Sequence, residues 1–110
     1  MTLHAAYDPE NIFAKILRGE IPSTRVYETD DVVAFMDVMP QGTGHTLVVP
    51  KTASRNLLDA KPETLANVVQ VVQKIAQAVK RAFNADGVTF MQFNEPAPGQ
   101  TVYHLHFHVI

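Results

Sequence analysis

The chain has 110 residues, enough for one domain with a single core, and 46% of them are hydrophobic while 18% are charged. The net charge of −2, without a long basic run, argues against a nucleic-acid partner, and the lack of cysteine excludes disulfides and thiolate metal sites. No segment approaches the ~20 apolar residues of a membrane span or resembles a secretory signal, so we expect a soluble, cytoplasmic protein without a membrane partner.

The first half of the chain predicts one helix and three strands. Residues 1–10 are predicted to form an N-terminal tail, and residues 11–110 a single domain. The segment NIFAKILRG predicts a short helix, because Asn11 can cap its start and Gly19 suits its end. A strand is expected after Pro22, and two more are expected in VVAFMDV and GHTLVVP, joined by the loop MPQGTG.

The second half predicts a long helix and two further strands. Apolar residues recur with helical spacing from Pro62 to about Phe83, so this helix should pack one face on the core. The segments GVTFMQFNE and TVYHLHFHVI then predict two strands around PAPGQ. The order αβββαββ with short connections indicates an α+β fold built on an antiparallel sheet.

Three of the five histidines stand at alternate positions in the segment HLHFHVI. In an extended strand, His104, His106 and His108 would project to the same side about 6.6 Å apart, with Leu105 and its apolar neighbours facing the core. The pattern is compatible with a histidine-rich edge strand, with a metal site on a His-x-His pair, or with nucleophilic and acid–base chemistry by imidazole. The residues alone leave these three alternatives open.

The same segment resembles the His-φ-His-φ-His-φ-φ signature of the HIT (histidine triad) family of nucleotide hydrolases and transferases. The wider sequence from residue 11 onward is similar to the Hint branch, notably in IFAKILRGEIPSTRVYETDDVVAFMDVMPQGTGHTLVVPK and FNEPAPGQTVYHLHFHVI. The resemblance implies a five-stranded antiparallel sheet with a short N-terminal helix and one long helix. It also implies a homodimer in which two sheets join into ten strands.

The resemblance further implies an activity that needs neither metal nor cofactor. A purine nucleotide would bind, and the bond at the α-phosphate of a nucleoside phosphoramidate, or of a related nucleoside monophosphate derivative, would be cleaved. His106 matches the nucleophile that forms a covalent nucleotidyl-histidine intermediate. His104 and His108 match the flanking members that orient it and handle protons, and His45 matches a fourth active-site histidine.

The remaining site residues are also implied by the resemblance. A phosphate-binding group would comprise Asn94, Gly99, Gln100 and Thr101, where Gly99 lets the backbone approach closely and the next two side chains can donate hydrogen bonds. Asp37 matches a carboxylate that binds both ribose hydroxyls. The purine slot would be lined by Ile12, Phe13, Ile16, Ile21, Phe35 and Leu47.

Two departures from the family pattern bear on function. Many bacterial relatives bind structural zinc at positions that here carry Asn11, Ala14 and Ala53, so we expect no zinc. The sequence stops at Ile110, where relatives continue into a C-terminal tail that shapes leaving-group specificity. A non-catalytic nucleotide-binding or interaction module, and a His-x-His metalloenzyme, are the alternative functions.

Overall fold

The computed structural model describes residues 6–38, 40, 42 and 44–110. Residues 1–5 of the predicted tail and residues 39, 41 and 43 of the predicted loop lie outside the described residues. The elements, in chain order, are α1 (Ile12–Leu17), β1 (Arg25–Glu28), β2 (Val32–Met36), β3 (Thr46–Pro50), α2 (Pro62–Ala82), β4 (Phe90–Met91) and β5 (Phe107–Val109).

The five strands form one antiparallel sheet in the order β1-β2-β3-β5-β4. The predicted α+β fold, with a short first helix and one long helix, is therefore confirmed. The crossover from β3 to β4 contains α2, which places β5 between them. Neither helix of the described chain has the length and hydropathy needed to cross a membrane.

The two helices cover opposite faces of the sheet. In β2, Val32 and Ala34 belong to the core beneath α2, whereas Val33 and Phe35 belong to the core beneath α1. This alternation follows from the period of two along a strand, and it explains why β2 and β3 are apolar nearly throughout. A strand buried on both faces has no polar side to present.

The short helix α1 begins as the sequence predicts. The side chain of Asn11 accepts a hydrogen bond of 2.9 Å from the backbone N–H of Ala14, which satisfies a donor that has no partner within the helix. At the other end, Gly19 adopts a φ of +80° and ends the turn. This fixes the apolar side of α1 over the sheet, with Phe13 and Ile16 buried.

The last two strands are much shorter than predicted. Residues 100–105 do not pair with a neighbouring strand; instead, Gln100 Nε2 donates to the carbonyl of Arg55 and the N–H of Leu105 donates to the carbonyl of Ser54. Only His108 of the triad lies in β5, so the expectation of three imidazoles on one strand face is wrong. The apolar alternation does hold, because Leu105, Phe107 and Val109 all enter the core beneath α2.

Candidate functional site

A cavity of about 380 Å³ lies between α1 and the sheet face opposite α2. Its polar lining includes Asp37, Thr101, His106 and His108. All of the residues expected to form a purine slot also line it, namely Ile12, Phe13, Ile16, Ile21, Phe35 and Leu47. The volume falls in the range of roughly 300–1,000 Å³ that small-molecule sites occupy, and the mixture of apolar walls and few polar groups is typical of them.

His106 is held with one nitrogen committed to the backbone. Its Nδ1 lies 2.7 Å from the carbonyl oxygen of His104, and because a carbonyl can only accept, Nδ1 carries the hydrogen. Burial lowers the pKa of His106 to about 4, so the ring is neutral at pH 7 and Nε2 keeps its lone pair. The ring also packs edge-on against Phe13, with 4.7 Å between centroids.

His104 is completely buried and does not line the cavity. Its Nε2–H donates to the carbonyl of Pro50 at 2.7 Å, which leaves Nδ1 to accept from the hydroxyl of Tyr7 at 2.6 Å. Burial lowers the pKa of His104, so this imidazole is also neutral. The residue therefore reaches the site through its backbone carbonyl, which holds His106.

His108 belongs to a second polar group that the sequence did not connect. Its Nδ1 lies 3.0 Å from Nε2 of His45, and Nε2 of His45 lies 3.4 Å from Oδ2 of Asp37. A proton on His45 Nε2 can be shared by both acceptors, which leaves the proton of neutral His108 on its Nε2. Burial lowers the pKa of His108 as well.

Among the residues that the structure describes, Asp37, His45 and His108 form a group that could bind a metal ion. Ligand atoms of Asp37, His45 and His108 lie within 4.8 Å of one another. The expected His-x-His pair is not the pair that meets, since His104 is committed to Pro50 and Tyr7. Direct contacts between the side chains, at 3.0 Å and 3.4 Å, hold the three residues together.

Of the four expected phosphate-binding residues, Thr101 lines the cavity, whereas Asn94, Gly99 and Gln100 do not. The side chain of Gln100 is buried, accepts from the N–H of Glu95 at 2.7 Å and donates to the carbonyl of Val102 at 3.0 Å. Gln100 is therefore occupied in shaping the loop.

The other two members of that group also bond within the protein. Asn94 accepts from the N–H of Leu57 at 2.9 Å, and the N–H of Gly99 donates to the carbonyl of Pro96. The φ of Gly99 is +124°, a value that a residue with a side chain rarely adopts. Glycine is thus required at this turn, whatever the turn contacts.

Sequence reasoning did not identify Tyr7, Arg55 or Glu95. Tyr7 contacts His104 across 97 positions, and Arg55 binds Glu95 across 40 positions. Single residues at such separations carry no local pattern, so no motif could have indicated them. An arginine and a glutamate in polar loops are more often solvated than buried.

Comparisons with known proteins identify the family of this chain. Residues 18–110 match the family model of the HIT domain. The protein named Protein hit, from Bacillus subtilis, is 40% identical over 99 residues, which make up 90% of this chain and 68% of that protein. HIT-like proteins from Borreliella burgdorferi and Methanocaldococcus jannaschii are 43% and 40% identical over 90% of this chain, which matches 73% and 76% of their lengths.

Solved structures give the same result. A Hit-like protein from Bartonella henselae, described as involved in cell-cycle regulation, is 71% identical with a TM-score of 0.94, over 96% of this chain and 81% of that one. A protein from Sulfolobus tokodaii described as a hypothetical histidine triad nucleotide-binding protein is 37% identical with a TM-score of 0.87, over 89% of this chain and 66% of that one. Because the family model and these relatives cover most of the sequence that builds the sheet and the cavity, the chain belongs to the HIT (histidine triad) family.

Proposed function

We propose that this protein binds purine nucleotides and cleaves the bond between the α-phosphorus and its leaving group in nucleoside phosphoramidates or related nucleoside monophosphate derivatives. The observation that carries the proposal is the state of His106, which lines the cavity, has its Nδ1–H held by a carbonyl and, as a neutral ring, keeps a lone pair on Nε2. A neutral imidazole of this kind can attack phosphorus at neutral pH.

The lining of the cavity supports a nucleotide as the ligand. The apolar side chains from α1 and the sheet suit a flat purine base, and the carboxylate of Asp37 suits the two ribose hydroxyls. Thr101 lies on the same cavity and can donate to a non-bridging phosphate oxygen. With this arrangement, the α-phosphorus would sit next to Nε2 of His106.

The chemistry proceeds in two displacements. The lone pair of His106 Nε2 forms a bond to the α-phosphorus while the bond to the leaving nitrogen or oxygen breaks. The leaving group takes a proton from Nε2 of protonated His108, the form that the negative charge of the bound phosphate stabilises, and His108 becomes neutral. The positive charge of the resulting nucleotidyl-imidazolium is stabilised by the His104 carbonyl at Nδ1. Water then attacks phosphorus, loses a proton to His108 and releases the nucleoside monophosphate together with free His106.

The direct test is turnover of an adenosine phosphoramidate by the protein and by His106→Ala. We expect the variant to lose at least about a thousandfold in kcat, because the imidazole that forms the intermediate is removed. Binding of adenosine monophosphate should survive, since the apolar walls and Asp37 are unchanged. An alanine variant that keeps most of the activity would remove His106 from the mechanism.

Intact-protein mass spectrometry separates the enzyme from a binding module. Brief mixing with substrate should add the mass of one nucleoside monophosphate to the protein, and the adduct should be absent from His106→Ala. A module that only binds nucleotides would never show this adduct.

A metal-dependent reaction is the rival that the Asp37, His45 and His108 group favours. The proposed mechanism needs no cation, so treatment with EDTA should leave kcat unchanged. Strong inhibition that zinc or manganese restores would support the rival instead.

We also propose that the protein works as a homodimer. The sheet order leaves β4 at one edge, and its Phe90 is half exposed. Strand pairing between two β4 edges would join two sheets of five strands into one of ten and cover this apolar side chain. Light scattering should therefore report twice the 12.2 kDa mass of one chain.

A further inference from the structure

We propose that Arg55 and Glu95 are positioning residues for the reaction. They set the path of residues 100–105 and thereby the place of Thr101 and of the carbonyl that orients His106. Neither residue lines the cavity, so they act through the backbone and not on the substrate. The inference rests on the proposed function and adds two residues that affect the reaction without contacting the substrate.

The two side chains form a buried two-pronged ion pair. Arg55 Nε donates to Glu95 Oε2 at 2.8 Å, and Arg55 Nη2 donates to Oε1 at 3.0 Å. Both residues are buried, at 5% and 9% exposure. A paired geometry of this kind fixes the planes of both groups, which a single hydrogen bond would not do.

Hydrogen bonds link Glu95 to the turn that follows it. Asn56 Nδ2 donates both to Glu95 Oε2 at 2.6 Å and to Gln100 Oε1 at 3.1 Å. The backbone N–H of Glu95 donates to the same amide oxygen of Gln100. Glu95 itself has a φ of +70°, a strained conformation for a residue with a side chain, which surrounding contacts must hold in place.

Further contacts hold the backbone between Gln100 and Leu105. Gln100 Nε2 donates to the carbonyls of Arg55 and Val102, and the guanidinium of Arg55 lies 4.2 Å from the ring centre of Tyr103. On the far side of His104, Leu105 N–H donates to the carbonyl of Ser54 at 2.8 Å. The backbone is thus held on both sides of His104.

Held in this way, the carbonyl of His104 meets Nδ1 of His106 at 2.7 Å. A displacement of about 1 Å at a reacting group can cost about a hundredfold in rate, so loosening this segment should lower kcat even though the substrate is not touched. The proposed base and ribose contacts come from α1, Ile21, β2, Asp37 and β3, none of which belongs to this network.

The experiment compares Glu95→Gln with Glu28→Gln. Glutamine at position 95 keeps the shape of the side chain but removes the charge that Arg55 and Asn56 bind. Glu28 is the matched control, because its carboxylate also accepts hydrogen bonds from two side chains, those of Arg25 and Lys51, but on the surface. Each protein is measured for kcat and KM on the phosphoramidate, for affinity to adenosine and adenosine monophosphate, and for the NMR resonance of the His106 Nδ1 proton.

We expect Glu95→Gln to lower kcat about tenfold or more, to reduce the advantage of adenosine monophosphate over adenosine, and to shift or broaden the His106 resonance. Affinity for adenosine should stay within about twofold, because its contacts lie elsewhere. Arg55→Lys should give values between those of Glu95→Gln and the unmodified protein, because lysine keeps the positive charge but cannot form the two-pronged bond. Glu28→Gln should match the unmodified protein in every measurement.

A folded Glu95→Gln protein with an unchanged affinity ratio, resonance and kcat would overturn the proposal. If Glu95→Gln does not fold, the double variant Arg55→Gln/Glu95→Gln removes both buried charges and is judged by the same measurements, as is Arg55→Lys. Absence of turnover in the unmodified protein would contradict the proposed function alone, because the His106 resonance still reports on the effect of Glu95.

Discussion

His106 obtains its chemical state from two different surroundings. Burial against Phe13 and the sheet makes a charged imidazole unfavourable, while the carbonyl of His104 selects which nitrogen keeps its hydrogen. The first effect sets the protonation state and the second sets the tautomer. Neither can be read from the spacing of the histidines, which indicates only that they are close.

The low pKa of His106 makes stability depend on pH. In the unfolded chain an imidazole binds its proton near pH 6.5, whereas folded His106 binds it only near pH 4. The unfolded state therefore takes up more protons in this interval, and the free energy of unfolding should be greatest above pH 6.5 and decrease as the pH falls to about 4. Urea titrations at several pH values would measure the slope.

The control for this slope is His106→Asn, whose side-chain amide can still donate to the His104 carbonyl but does not titrate. The slope should become shallower without vanishing, because the pKa values of His104 and His108 are lowered too. An unchanged slope in the variant would mean that His106 is not the group responsible.

Tyr7 makes a contact whose loss can be measured on its own. Tyr7→Phe removes the hydroxyl that donates to His104 Nδ1 and leaves a buried acceptor without this partner, so we expect a loss of about 1–3 kcal/mol in the free energy of unfolding. Tyr27→Phe is the control, since its hydroxyl accepts only a long, exposed bond of 3.4 Å from Lys74. That variant should change stability by less than about 0.5 kcal/mol. Equal effects in chemical denaturation would contradict a specific role for Tyr7.

Among the elements, the two helices and the first three strands followed the sequence closely, and the last two strands did not. Asn11, Pro62 and the alternating apolar residues act through neighbours close in sequence, so their patterns predict where elements begin and which face is buried. Residues 100–105 instead bind residues 54–56, a distant polar partner that competes with strand pairing. The resemblance identified the residues of the cavity, but the internal role of Gln100 depends on those distant contacts.

Gly44, in the loop before β3, packs closely against the ring of Phe83 at the end of α2. Gly44 has a φ of +77°, and a Cβ added there would overlap the ring of Phe83, which follows α2. Gly44→Ala should therefore cost about 1 kcal/mol in backbone strain and a further ~1 kcal/mol or more for displacing the ring. Since His45 comes next in the chain, the same change should also lower kcat.

Gly19 offers a matched comparison. Its φ is +80°, and nothing lies within 4 Å of an added Cβ, so Gly19→Ala should show the backbone strain alone. The difference in unfolding free energy between the two alanine variants measures the contact with Phe83. No difference would mean that the ring moves aside without cost.

The outer edge of β4 would form the interface of the proposed homodimer. Thr89 and Ile110 exchange both of their backbone hydrogen bonds, so the next residue, Phe90, directs its N–H away from β5 and toward the open edge. This is the backbone group that a second β4 would bind.

Phe90→Pro should therefore prevent dimerisation while leaving the bonds between β4 and β5 in place. Phe90→Ala is the control, because it also removes the ring that stacks on Phe107 but keeps the N–H. Light scattering should find the proline variant as a monomer and the alanine variant still largely dimeric at high concentration. Two dimeric variants would exclude pairing along this edge.

The contact between Tyr7 and His104 also has a consequence for how the protein acquires its cavity. The triad contacts Tyr7 and His45, and His45 in turn contacts Asp37, so segments from distant parts of the sequence must come together before the site is complete. Pairings at such separations form slowly and late. A nucleotide can then recognise only the finished molecule, and we expect it to prolong the lifetime of the native state without hastening its formation.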